Sequence, residues 1–166
     1  MPKRPMTKRS GLLFAALLLA SIGALAGAME DAEAAYGRED YAGALKILRV
    51  LAAGGDATAR YVIGSMYGDG RGVAQDHAEA VVWYRQAAER GHAGAQARLG
   101  ALYFQGHGLR KDDVRAHMWF NLGAAAGNAE ALRGRDLVAS RMKPQQITRA
   151  QNLARECQES KFRDCD

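Results

Sequence analysis

Residues 61–95 read YVIGSMYGDGRGVAQDHAEAVVWYRQAAERGHAGA, and residues 97–131 read ARLGALYFQGHGLRKDDVRAHMWFNLGAAAGNAEA. The two stretches share glycines, alanines, a tyrosine, an aspartate and a tryptophan at a fixed offset of 36 residues. Counting back another 36 residues reveals a partial third copy, which is carried by Asp40, Ala44, Ala52, Gly55 and Ala57. A fixed period of this length predicts stacked structural units instead of a single closed core.

Each copy predicts two helices joined by a glycine-rich loop. Apolar residues of the first half recur at helical spacing, and the three glycines in residues 68–72 end that helix. Asp76 is placed to cap a second helix, with Glu79 three residues later as in a capping box. Gly91 then follows an apolar face and is placed to end the helix in the left-handed conformation.

Glycines inside the first helix of each copy predict close helix packing. Gly64 and Gly100 each cost about 1 kcal/mol of helix stability relative to alanine, so a compensating contact is expected. Trp83 and Trp119 are the bulky residues at repeated positions, and we expect their rings to fill the space over these glycines.

The two stretches resemble Sel-1-like repeats, which are relatives of the tetratricopeptide repeat. They follow the motif L-G-x-x-Y-x-x-G-x-G-V-x-x-D and then A-x-x-W-Y-x-x-A-A-x-x-G at nearly every place, with Ile63 for Leu and Leu109 for Val. The resemblance implies an all-α fold, a superhelical α/α solenoid of about four antiparallel helix pairs. The implied helices lie near 29–36, 40–53, 57–67, 76–90, 94–105, 112–126, 129–142 and 144–160.

The composition of the first residues and the resemblance together divide the chain. Residues 1–28 form a leader, and residues 29–166 form one repeat domain. Within that domain, residues 29–56 form an opening hairpin, 57–92 and 93–128 form the two full repeats, and 129–166 form a closing hairpin.

The leader predicts an export signal. Four basic residues between positions 3 and 9 precede an uncharged stretch over 10–29. Cleavage after Ala28 or after Ala26 fits the small-x-small rule, which places the mature protein in the periplasm or outside the cell. The alternative is an uncleaved anchor in the inner membrane, because a run of about 18 apolar residues approaches the length that spans a bilayer.

The charge balance argues against nucleic-acid binding. The chain holds 23 Lys and Arg against 18 Asp and Glu, and removal of the four basic residues in the leader leaves a net charge of +1. A nucleic-acid-binding face needs clustered basic residues, whereas Arg133, Arg135 and Arg141 are interrupted by Glu130 and Asp136.

The two cysteines, Cys157 and Cys165, predict a disulfide in an exported protein. Eight helical steps would separate them by about 12 Å, while a disulfide needs Cα atoms within about 7 Å. We therefore expect the last helix to stop near Lys161 and the tail to fold back.

Catalytic, metal and cofactor sites are not predicted. The four histidines, at positions 77, 92, 107 and 117, show no paired-ligand spacing and do not recur with the repeat. Asp76 and Asp112 are one repeat apart, as helix caps would be. The chain is therefore expected to be a protein without enzymatic activity, metal or cofactor.

Partner binding is the function that the resemblance implies. In tetratricopeptide-like stacks the first helix of each pair lines the concave face, so the residues expected to meet a protein or peptide partner are Tyr61, Ser65, Asp69, Ala101, Phe104, Gln105 and Arg133. Phe104 replaces Gly68 of the preceding copy, so it either anchors a partner or packs on the next hairpin.

We therefore expect a non-catalytic scaffold of the cell envelope. The alternative is an exported hydrolase acting on cell-wall or β-lactam-like amides, because some cysteine-rich relatives are associated with such activity. Those relatives carry a cysteine pair in each hairpin, which this chain lacks inside its repeats.

Overall fold

The computed structural model describes residues 27–163 and residue 165, and all regular structure within them is helical. These residues form eight helices: α1 over 27–37, α2 Tyr41–Ala53, α3 Ala57–Asp69, α4 His77–Ala88, α5 Ala93–Gln105, α6 Asp113–Ala125, α7 Ala129–Ala139 and α8 Pro144–Glu159. The predicted all-α fold is confirmed.

The export signal predicted at 1–28 lies outside the described residues, except that positions 27 and 28 belong to α1. None of the helices described is both long and apolar enough to cross a membrane.

Side-chain caps fix where the repeat helices begin. Asp56, His92 and Asn128 stand 36 residues apart and accept the amide protons of α3, α5 and α7 respectively. Before α4 and α6, the caps are Asp76, which accepts from the amides of Ala78 and Glu79 at 2.8 and 3.0 Å, and Asp112. The predicted caps Asp76 and Asp112 are confirmed.

A full capping box would also have the Glu79 side chain accept the backbone amide of Asp76. The described hydrogen bonds do not include that bond. The backbone amide of Asp76 donates instead to the carbonyl of Tyr67 at 2.9 Å, and the amide of Asp112 donates to Tyr103 in the same way at 3.0 Å. This bond ties the start of the second helix to the end of the first. The Asp76 amide therefore already has an acceptor and does not need the Glu79 side chain.

Successive helices pack against each other from α2 to α7, and α5 also contacts α7. The last helix, α8, packs on α6. Two loop glycines join neighbouring repeats: a side chain at Gly72 would collide with Tyr41, and one at Gly108 would collide with the backbone of His77. Both glycines also have positive φ, so the glycine-rich loop is needed for the turn and for close stacking.

The buried residues form two clusters along the chain. The N-terminal core cluster comes from α1, α2 and α3, and it includes Leu48, Ile63 and Met66. The C-terminal core cluster runs from α4 to α8 and contains the fully buried Trp119. Tyr67 packs against both clusters, which gives the apolar interior continuity along the repeats.

The aromatic rings over the helix glycines are not those of the tryptophans, so that expectation is wrong. A Cβ at Gly64 would lie 2.8 Å from the ring of Tyr84, and one at Gly100 would lie 2.7 Å from the ring of Phe120. Consecutive helical residues point about 100° apart, so only one of two adjacent aromatics can face the glycine of the partner helix. The residue after each tryptophan takes that place.

The predicted disulfide is present between Cys157 and Cys165. Their Cα atoms lie 4.7 Å apart because α8 ends at Glu159 and the tail turns back. Lys161 and Phe162 make that turn with positive φ values of 56° and 63°. The predicted folding back of the tail is confirmed, and the Phe162 ring packs against the C-terminal core cluster.

Candidate functional site

Two surface grooves lie between odd-numbered helices. The α1–α3 groove is lined by Met29, Ala32, Glu33, Tyr36, Gly37, Leu48, Val62 and Ser65 and has a volume of about 330 Å³. The α5–α7 groove is lined by Ala101, Phe104, Gln105, Phe120, Glu130, Arg133, Gly134 and Leu137 and has a volume of about 280 Å³. Ser65, Ala101 and Leu137 are spaced by the repeat period, so both grooves use equivalent helix faces.

The α5–α7 groove has an apolar floor. The ring of Phe120 lies against Gly100 and Gly134, where added Cβ atoms would approach it to 2.7 and 2.5 Å. Glycines on α5 and α7 therefore let both helices lie close to the Phe120 ring. The space above the ring stays open as the groove. Leu137 borders this space with 49% of its surface exposed, a large fraction for a leucine.

Phe104 forms one wall of this groove. It is half-buried and packs against the C-terminal core cluster, and two cations lie close to its ring. Lys111 Nζ is 5.3 Å from the ring centroid and Arg141 Cζ is 5.1 Å from it. Both are within cation–π range, so Phe104 takes part in the packing and in the groove surface together.

A charged pair that includes the lining residue Glu130 lies beside the groove. Arg98 Nη1 lies 3.8 Å from Glu130 Oε1, and both side chains are about half exposed. Burial alone would lower the pKa of Arg98, but its hydrogen bond to Tyr61 and the carboxylate of Glu130 raise that pKa overall. Arg98 is thus a permanent cation held between α3 and α7.

Four of the seven residues predicted to bind a partner meet in one place. Ala101, Phe104, Gln105 and Arg133 all line the α5–α7 groove. Their role in binding stays a prediction.

The other three lie apart from that groove. Ser65 lines the α1–α3 groove, and its hydroxyl accepts from Tyr84 at 3.1 Å. Tyr61 stacks on His92 with ring centroids 4.6 Å apart. Asp69 is exposed and lies 3.7 Å from Arg71.

Four groove residues were not predicted: Phe120, Glu130, Gly134 and Leu137. Leu137 could have been found, because counting 36 residues on from Ala101 leads to it. The position of Phe120 carried no such signal, since its ring reaches the groove through the gap left by glycines on two other helices.

The histidines hold structural positions. The Nδ1 atom of His92 accepts the amide proton of Ala95 at 3.1 Å and so must be neutral, and burial lowers the pKa of His92. Burial also lowers the pKa of His117, aided by the nearby Arg135. His77 and His107 stack on each other with centroids 5.2 Å apart. The described residues include no group of three or more His, Cys, Asp or Glu side chains that could hold a metal.

Comparisons with known proteins agree with this architecture. The chain is similar to a crystal structure of a protective antigen of uropathogenic Escherichia coli that displays an SLR fold, with 26% identity, a TM-score of 0.76 and coverage of 86% of this chain. The chain covers only 32% of the length of that E. coli protein. A search of curated proteins finds no match.

A second crystal structure, that of a Sel1 repeat protein from Oxalobacter formigenes, is matched over nearly its whole length. Its identity is 32% and its TM-score 0.63, with coverage of 75% of this chain and 96% of that protein. The Sel1 repeat pattern itself matches residues 57–92 and 93–128. The sequence period, the helix pairs and these likenesses together show that the chain belongs to the Sel1 repeat family.

Proposed function

We propose that this protein is a non-catalytic scaffold of the cell envelope that holds a segment of a partner protein in the α5–α7 groove. Sel1 repeat proteins generally act in interactions between proteins. The observation that carries the proposal is the partly exposed apolar surface of Leu137 and Phe104 above the Phe120 floor. An exposed apolar patch with a polar border is the usual mark of a binding surface.

Rigidity of the groove supports binding without a large entropic cost. Its floor is a buried ring in contact with two helices, and its walls belong to the regular helices α5 and α7. A preformed surface loses little conformational freedom when a partner binds, so modest contact areas suffice for a specific complex.

A photo-crosslinking experiment in living cells tests the proposal. A benzophenone amino acid would be placed at Leu137 in the groove and, as a matched control, at Val82 on α4. These positions are equally exposed, at 49% and 48%, but Val82 does not line the groove. We expect a discrete crosslinked product from position 137 and none from position 82. In a second pair of proteins the crosslinker would replace Ala101, another lining residue, and its product should be lost when Leu137→Asp is added. Equal products from 137 and 82 would contradict the proposal.

Export from the cytoplasm is part of the same proposal. Cleavage after Ala26 would keep every described residue of α1, including Ala28 and Met29, which pack against the N-terminal core cluster. Mass spectrometry of the protein isolated from cells would locate its N-terminus. A retained Met1 would support the anchored alternative instead.

No observation among the described residues favours the amide hydrolase alternative. His92 is engaged as a helix cap and His117 is 3% exposed within α6. These two side chains are thus engaged at a helix end and in the core.

A further inference from the structure

The border of the α5–α7 groove carries an excess of positive charge. Four cations lie on it or beside it: Arg98, Lys111, Arg133 and Arg141. Two of them are paired, since Arg98 is 3.8 Å from Glu130 and Lys111 is 3.8 Å from Asp113. The surroundings of the groove therefore have two more positive than negative charges, while residues 29–166 as a whole have a net charge of only +1.

The two remaining cations flank the apolar surface. Arg133 is an exposed lining residue of the groove, and Arg141 extends over the Phe104 ring. Neither forms an ion pair with another residue in the described part of the chain. They lie eight residues apart, about two helical turns along α7 and the turn that follows it.

This pattern differs from that of the α1–α3 groove. There the charged lining residue is Glu33, and Arg71 near it donates a hydrogen bond to Tyr36 at 2.9 Å. The two grooves use equivalent helix faces, so the cationic border is a property of the α5–α7 groove and not of the repeat.

We propose that the segment bound in the α5–α7 groove is acidic, with an apolar side chain flanked by carboxylates. This inference rests on the proposed binding function of the groove. The apolar side chain packs between Ala101, Phe104 and Leu137 above the Phe120 ring, and its flanking carboxylates face Arg133 and Arg141. At about 280 Å³ the groove is below the usual size of a small-molecule pocket, so it suits one or two side chains of a peptide. Opposite charges at the border favour such a partner over a basic one and speed its association.

Selection from a random peptide library tests the chemistry directly. Peptides of about 12 residues displayed on phage would be selected on the purified protein expressed from the full chain, and enriched sequences would be made with a fluorescent label. Twelve extended residues span about 40 Å, enough to cover the groove and its border. We expect enrichment of Asp or Glu beside Leu, Ile or Phe.

Charge-reversal variants would then locate the contacts by fluorescence anisotropy. Arg133→Glu and Arg141→Glu should each weaken binding of an enriched peptide about tenfold, because each removes an attraction and adds a repulsion. The matched control is Arg149→Glu, an exposed change on α8 outside the groove, which should leave the affinity within about twofold. Binding should also weaken between about 0.1 M and 1 M salt, where the screening length falls from about 10 Å to about 3 Å.

The outcomes separate the inference from the function on which it rests. One contrary result is that the selected peptides lose binding with Leu137→Asp and yet show no enrichment of Asp or Glu; another is that they bind Arg133→Glu with unchanged affinity. Either result would overturn the acidic-partner inference and leave the groove as the binding site. If no selected peptide loses affinity with Leu137→Asp, both the acidic-partner inference and the proposed binding function of the groove would be contradicted. Melting temperatures of all variants, with the milder Leu137→Ala as a second groove variant, would separate lost binding from lost folding.

Discussion

Gly100 offers a sharp test of how the helix pairs are held together. The change Gly100→Ala adds one methyl group inside α5, and that carbon would lie 2.7 Å from two ring atoms of Phe120. Ordinary carbon contacts lie at about 3.5 to 4.0 Å, so either the ring or the helix has to move by roughly 1 Å. The same edge of the ring also borders Gly134 on α7, where an added carbon would approach to 2.5 Å.

Two opposing terms set the size of the effect. Overpacking of a filled core costs about 1 to 3 kcal/mol, and a ring pressed from both Gly100 and Gly134 places this site in the upper part of that range, at about 2 to 3 kcal/mol. The change from glycine to alanine within a helix returns about 1 kcal/mol. We therefore expect Gly100→Ala to destabilise the fold by about 1 to 2 kcal/mol, which lowers the melting temperature by about 3 to 8 °C for a domain of this size.

Gly68→Ala is the matched control. It lies inside α3, and a Cβ there would meet its nearest atoms at 3.7 and 3.8 Å, which is ordinary contact. Only the helix-forming term then remains, so Gly68→Ala should stabilise the protein by about 0.4 to 1 kcal/mol. Two chemically identical changes are thus expected to have opposite signs in thermal and urea unfolding.

A double variant identifies the aromatic residue responsible. Phe120→Leu should be less destabilising in the Gly100→Ala background than alone, with a coupling of at least about 0.5 kcal/mol, because the smaller side chain makes room for the methyl group. Trp119→Phe should show no such coupling. If Gly100→Ala were as stable as the parent protein, or coupled to Trp119 instead, the packing described for α5 and α6 would be refuted.

Three further changes test the pH response, the tail and the caps. The pKa values of His92 and His117 are lowered in the folded state, so the unfolded chain binds more protons in acid. Stability should hold above about pH 6.5 and fall as the pH drops below it, measured by urea midpoints. A combined His92→Asn and His117→Val variant, which uses the residues found at the equivalent repeat positions, should flatten that fall, and an unchanged slope would assign it to other groups. Cys157→Ser, or reduction of the parent protein, should cost about 2 to 3 kcal/mol in urea unfolding, and an unaltered midpoint would show that the tail adds nothing to the fold. Asp112→Ala removes a cap whose carboxylate accepts the Arg115 amide at 3.0 Å, so a loss of about 1 kcal/mol is expected; no measurable loss would exclude a stabilising cap there.

Local signals in the sequence predicted most of the fold. The 36-residue period, the glycines after each first helix and the aspartate before each second helix predicted the helix pairs, and the bounds implied by the resemblance to Sel-1-like repeats lie within three residues of those observed. Glycine conformation and side-chain capping depend on a few neighbouring residues, so a single sequence carries them. The turn after α8 could be inferred as well, because a disulfide between residues eight apart is incompatible with a continuous helix.

It was harder to predict which of two neighbouring residues on one helix faces the next helix. Trp119 and Phe120 are neighbours of similar size, and the pattern of apolar residues did not decide which one faces Gly100. A rotation of about 100° per residue decides it, and that rotation is fixed by how α6 is oriented against α5.

The sequence by itself determined that this chain stacks helix pairs, that aspartates begin α4 and α6, and that its two cysteines can meet, because each property follows from spacing along the chain. Only the tertiary structure decided that Ala101, Phe104, Gln105 and Arg133 share one groove with Leu137, while Tyr61, Ser65 and Asp69 lie elsewhere. The physical reason is that a groove forms where small residues on two helices, here Gly100 and Gly134, let a third helix's ring fill the floor. That arrangement depends on distances across the stack and not on the period along it.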